Sequence, residues 1–199
     1  MSSDDPLPPA GFFPVGLNLV GRRCVVIGPR ADREAIEKEA ALREVGADVR
    51  WIDDVRALRD EDLSDAFFVI STPRDEALSA RLRALAERHR FLLCCIDQPK
   101  YGSVAMQAVV KAGRARITIS TGGVSPRVGA ILKERLQGAL DGKFVRFLER
   151  LASRRRANRA ASADPRLRRK AMLEAAAGFD LKIAVQYPDW FEKECDGIR

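Results

Sequence analysis

The sequence predicts an α/β protein built on a doubly wound parallel sheet, and three observations carry that reading. Residues 21–28 (Gly-Arg-Arg-Cys-Val-Val-Ile-Gly) are an apolar run closed by glycine, as expected of a parallel strand buried on both faces. Strand-like runs recur at 48–52, 66–70 and 91–96. Helix-like stretches lie between the first and second runs and between the third and fourth, an alternation that makes neighbouring strands parallel.

Taken in order, residues 32–45 are rich in Ala and Glu and predict the first helix, which Gly46 stops. Glycine takes the left-handed cap conformation without a Cβ penalty. The run at 48–52 ends in Asp53-Asp54. After the run at 66–70, residues 75–89 carry Leu78, Leu82, Leu85 and Ala86 at helical spacing. The fourth run leads into Asp97. Acidic residues therefore follow the second and fourth strands, at the edge where open α/β sheets bind ligands.

Beyond Asp97 the pattern changes. The connection to the apolar run at 104–110 is too short for a helical crossover. That run predicts a hairpin with 116–120 through a turn at Lys111-Ala112-Gly113. Gly122-Gly123 lets the backbone approach a ligand or a partner chain closely. Ser125-Pro126 reads as a helix N-cap followed by proline at the first helical position. The helix it opens carries Leu132, Leu136, Leu140, Phe144, Leu148 and Leu151 on one stripe, predicted to pack against a second copy of the chain. A basic helix, a loop at Asp164-Pro165, a further short helix and an aromatic segment at 187–191 follow.

Bulk properties narrow the class. A chain of 199 residues supports one sizeable core and a small extra module, and 46% hydrophobic with 32% charged residues argues against disorder. No run approaches the roughly 20 apolar residues of a membrane span. Residues 1–10 are acidic and proline-rich, unlike a secretory signal, so residues 1–12 are read as a flexible tail. Of Cys24, Cys94, Cys95 and Cys195, three lie in apolar runs and none forms a Cys-x-x-Cys pair. They read as reduced thiols, which places the protein in the cytoplasm. With His89 the sole histidine, no metal ligands are assigned. The net charge is +7, and residues 143–182 hold twelve Lys or Arg against four Asp or Glu. That basic module would attract polyanions. Nucleic acid is not the expected partner, because no helix-turn-helix, zinc or RNP-type signature accompanies it.

Four segments carry a family resemblance. They are residues 13–28, which begin Phe-Pro-Val-Gly-Leu-Asn-Leu, Cys-Cys-Ile-Asp-Gln-Pro at 94–99, Ile-Ser-Thr-Gly-Gly-Val-Ser-Pro at 119–126, and the helix after it. In this order they resemble precorrin-2 dehydrogenase, the N-terminal module of sirohaem synthase, over residues 13–150. The resemblance implies a Rossmann-type NAD-binding domain at 13–112, a hairpin-and-helix dimerisation region at 113–151, and a small helical C-terminal domain at 152–199. It implies a homodimer that oxidises precorrin-2, a tetrapyrrole, to sirohydrochlorin with NAD, and in bifunctional members inserts Fe²⁺ as a substrate. Asp97 would be the catalytic base. Gly28, Arg30, Asp53, Ser71 and Thr72 would hold the cofactor. Ser120, Gly122, Gly123, Ser125, Lys100 and Arg127 would hold the polycarboxylate macrocycle.

The family's first strand-to-helix turn is Gly-Gly-Gly-x-Val-Ala. Here residues 28–35 read Gly-Pro-Arg-Ala-Asp-Arg-Glu-Ala, a turn about two residues longer with only its first glycine kept. Pro29 lacks an N–H for phosphate. Arg30 and Arg33 could supply charge instead, with Asp32 and Glu34 opposing them. Cys94 stands where the family carries asparagine, and residues 104–107 lack the family's proline. A second reading follows from the altered turn: a homologue without NAD that acts as a tetrapyrrole-binding chelatase, carrier or regulator.

Overall fold

A computed structural model describes residues 12–196; the tail expected at 1–12 falls almost wholly outside them. Strands β1 (Arg23–Ile27), β2 (Asp48–Ile52), β3 (Phe68–Ser71) and β4 (Leu92–Cys95) form a parallel sheet in the order β2-β1-β3-β4. Ile27 stands beside Ile52 on one side and Ser71 on the other. The chain leaves β1 outward to β2 and then crosses back to β3, so the strand order reverses at β1. The exits of β1 and β3 lie side by side at that reversal.

The sheet is buried on both faces, and period-two alternation assigns the residues to each. Val25, Ile27, Val69 and Leu93 pack with Leu82 and Leu85 of α2 (Glu76–His89) and with Leu63. Cys24, Val26, Phe68, Ile70 and Cys94 pack with Ala35 and Leu42 of α1 (Arg33–Glu44). Each large apolar side chain so buried contributes about 1.5–3 kcal/mol. Asp32 and Asp75 cap the two helices, accepting from the Glu34 and Leu78 N–H groups. Two 3-10 turns, Val55–Ala57 and Asp60–Leu63, bridge β2 to β3.

The hairpin differs from its predicted form. Strands β5 (Ala108–Ala112) and β6 (Ala115–Ile119) meet through Gly113-Arg114, two residues further along than the predicted turn begins. Gly113 has φ +57°, the left-handed conformation that a tight hairpin turn requires. The start of the predicted strand is used elsewhere: the N–H groups of Ser103 and Val104 both donate to the Leu93 carbonyl, at 2.8 and 2.9 Å.

The long apolar stripe is also divided. Helix α3 (Pro126–Ala139) ends before Asp141, which caps α4 (Gly142–Ala161) by accepting from the Phe144 N–H at 2.9 Å. The carboxylate satisfies a donor that a continuous helix would have paired with a carbonyl. Leu132 and Leu136 thus lie on α3, Phe144, Leu148 and Leu151 on α4, and Leu140 is buried between the two helices. Helices α5 (Pro165–Ala176), capped by Asp164, and α6 (Asp189–Asp196) complete the chain. Phe179 packs on Phe147 and Phe144, with ring centroids 5.3 and 5.8 Å apart.

The chain divides into two compact units, one running to Val109 and including Ile117–Glu134, the other comprising Val110–Arg116 and the residues from Arg135. Among the described residues no helix is long and apolar enough to cross a membrane.

Candidate functional site at the carboxyl edge of the sheet

Gly28 leaves β1 with φ +157°, and a Cβ built on it would stand 2.3 Å from Thr72 Oγ1. Only glycine lets the two strand exits approach this closely. Thr72 is nearly buried, and its N–H donates to the Ile27 carbonyl at 3.0 Å. Its hydroxyl donates to Asp32 Oδ2, while Asp32 Oδ1 accepts from the Glu34 N–H at 2.9 Å. The Thr72 hydroxyl first, and then the N–H groups of Glu34 and Ala35, hold the Asp32 carboxyl below its ordinary value against the opposing effect of burial.

The rest of the β1–α1 turn is internally bonded. The Arg30 N–H donates to Asp53 Oδ1 at 2.7 Å, and the Arg30 guanidinium lies 4.4 Å over the Trp51 ring. Trp51 Nε1 donates to the Gly28 carbonyl at 2.8 Å. The Gly28 and Asp32 N–H groups donate to the carbonyls of Ile52 and Pro29, at 3.0 and 2.9 Å. A dinucleotide places its pyrophosphate against N–H groups at the start of this helix and its ribose against an acid ending the second strand. Asp53 stands where the ribose end requires it. At the pyrophosphate end the Asp32 carboxylate already holds the helix terminus, so a dinucleotide would have to displace it or bind beside it.

Asp97 lies just beyond β4 with φ +58°, a conformation that Asp tolerates better than most residues. Arg74 Nη2 donates to Asp97 Oδ2, so a cation after β3 meets an acid after β4. The next residue, Gln98, accepts from the buried Ser79 hydroxyl of α2 through Oε1, and its N–H donates to the Cys95 carbonyl at 3.2 Å. The Asp97 turn is therefore braced from two elements. Arg74 was not identified from the sequence; its only signal was a cation placed behind one strand and opposite an acid behind its neighbour. Ser71 is fully buried on the α2 face, and its hydroxyl has no partner among the described residues. Burial pushes the Cys95 thiol up and the Cys94 thiol up to about 11, so neither is an activated nucleophile.

Lys100 pairs with Glu76 at 2.7 Å and lies 4.9 Å from the Tyr101 ring centroid. The loop before α3 is held locally: the Gly122 N–H donates to Ser120 Oγ at 3.2 Å, and Thr121 Oγ1 donates to the Ser125 carbonyl at 3.1 Å. Ser125 Oγ accepts from the Val128 N–H at 3.3 Å, the N-cap geometry expected of it. Gly122 and Gly123 take φ +62° and +82°, and Arg127 is exposed. Among the described residues no group of three or more His, Cys, Asp or Glu side chains is gathered as a metal site would need.

Residues 15–108 match a family described as putative NAD(P)-binding. The chain is 31% identical over 108 residues to the precorrin-2 dehydrogenase of Bacillus subtilis, covering 54% of this chain and 65% of that protein. It is 24% identical over 164 residues to the siroheme synthase of Nitrosococcus oceani, covering 72% of this chain and 35% of that protein. Over these stretches the chain is similar in sequence to proteins named precorrin-2 dehydrogenase and siroheme synthase. It spans just under two thirds of the first of those proteins and about a third of the second. A solved structure titled SirC, precorrin-2 dehydrogenase superposes with a TM-score of 0.69 at 19% identity, over 84% of this chain and 90% of that one. The α/β fold read from the sequence is thereby matched in a known structure.

Proposed function

We propose that this chain oxidises precorrin-2 to sirohydrochlorin, acting as a homodimeric NAD(P)-linked dehydrogenase of sirohaem biosynthesis. The observation that carries the reading is Asp97, placed at the carboxyl edge of the sheet and held by Arg74, in a relative of enzymes named for that step. The reaction removes a proton and a hydride equivalent from the macrocycle. Asp97 is suited to take the proton, because its carboxylate is half-exposed at a ligand-binding edge and Arg74 orients one oxygen. A bound nicotinamide dinucleotide would supply the hydride acceptor. The substrate is a polycarboxylate, and residues 143–182, which include most of α4 and all of α5, hold twelve Lys or Arg against four Asp or Glu, an excess that would attract polyanions.

The test supplies precorrin-2 and NAD⁺ anaerobically and follows the sirohydrochlorin absorption bands. Wild type is expected to form product and Asp97→Asn to form it far more slowly; equal rates would remove Asp97 from the chemistry. A second reading, a tetrapyrrole-binding chelatase, carrier or regulator without a redox cofactor, is favoured by the Asp32 carboxylate at the phosphate position. It expects sirohydrochlorin to bind, or to take up Fe²⁺, with no response to NAD⁺.

A further inference from the structure

The anion position at the start of α1 is held by a side chain of the chain itself. The Asp32 carboxylate accepts from the Glu34 N–H through one oxygen and from the Thr72 hydroxyl through the other. It lies at the positive end of the helix dipole, where a phosphate would otherwise be stabilised. We propose that Asp32 is a specificity-determining residue of the strand-reversal site, competing with the pyrophosphate of any dinucleotide and setting how strongly one binds. The inference rests on the reading above that this site takes NAD(P).

The neighbouring charges do not offset it. Arg30 is stacked on Trp51, and Arg33 is paired with Glu37 at 2.9 Å. Glu34 adds a second carboxylate beside the helix start, paired with Lys38 at 3.3 Å. Thr72 is itself nearly buried, and its hydroxyl donates to the Asp32 carboxylate. An entering pyrophosphate must therefore break the Thr72–Asp32 bond and displace the carboxylate, or bind beside a like charge.

Helix capping alone would also favour an aspartate here, and the two roles are separable. Asn and Ser cap helices about as well as Asp but carry no charge. The experiment is NAD⁺ titration by calorimetry, with Trp51 fluorescence as a second signal, on the full chain and on Asp32→Asn and Asp32→Ser. Both variants should keep the wild-type melting temperature within a few degrees and bind NAD⁺ roughly tenfold or more tightly. Wild type binding as tightly as the variants would overturn the proposal, and so would an absence of NAD⁺ binding in all three. The dehydrogenase reading fails separately: tighter binding in the variants without any sirohydrochlorin formed would leave the role of Asp32 intact and remove the reaction.

Discussion

Thr72 Oγ1 stands 2.3 Å from where a Cβ on Gly28 would be, so the exits of β1 and β3 are in contact at the strand reversal. Gly28→Ala meets both that oxygen and a φ of +157° that side chains disfavour. It is expected to cost about 1–3 kcal/mol, read as a lowered urea midpoint with an unchanged slope. Adding Thr72→Ala should recover part of the loss by removing the clash, while the backbone cost remains.

Asp97 and Arg74 are both at least half exposed, so their ion pair should add little to stability. Arg74→Gln and Asp97→Asn are each expected to shift unfolding by no more than about 1 kcal/mol. Asn also tolerates the left-handed backbone at this position. If Asp97 is the general base, Asp97→Asn lowers kcat by roughly 10²–10⁴-fold in the sirohydrochlorin assay. Arg74→Gln is expected to lower it less.

Asp32 gives stability a pH dependence of definite sign. Its folded carboxyl titrates below its unfolded value, chiefly because of the Thr72 hydroxyl. The contribution is therefore complete above the unfolded pKa of about 3.9 and is lost as pH falls through the lower folded value. Urea midpoints measured from pH 5 to 2, a span of about three units around that value, should fall more steeply for wild type than for Asp32→Asn. Parallel curves would show that the hydroxyl bond is not holding the ionised form.

Helices α4 and α5 carry excess positive charge, and Arg155, Arg159, Arg168 and Arg169 line one cleft of about 430 Å³ between them. Repulsion there should oppose folding at low salt. Arg155→Glu is expected to raise stability by about 0.5 kcal/mol at low ionic strength, and the gain should vanish near 1 M salt, where screening reaches only about 3 Å. A gain that survives high salt would point to packing instead of charge.

The elements were readable because their signals are local. Buried strands announce themselves as apolar runs, and Ser125 and Asp164 cap helices through bonds to residues two or three positions away. Asp97 could be placed at the edge of the sheet because it directly follows a strand. The division of the stripe at Asp141 was missed because periodicity continues through a cap, although the capping bond to Phe144 is itself short-range.

The parallel sheet, the order of its elements and the departure of the 28–35 turn from its family pattern were thus contained in the chain's residue order, since neighbouring residues decide burial period and turn chemistry. What fills that turn was not. Thr72 is 40 positions from Asp32 and Arg74 is 23 from Asp97. Such pairs meet only when β3 is laid between β1 and β4, and no local pattern of polar side chains records which distant partner the packed sheet will bring to each.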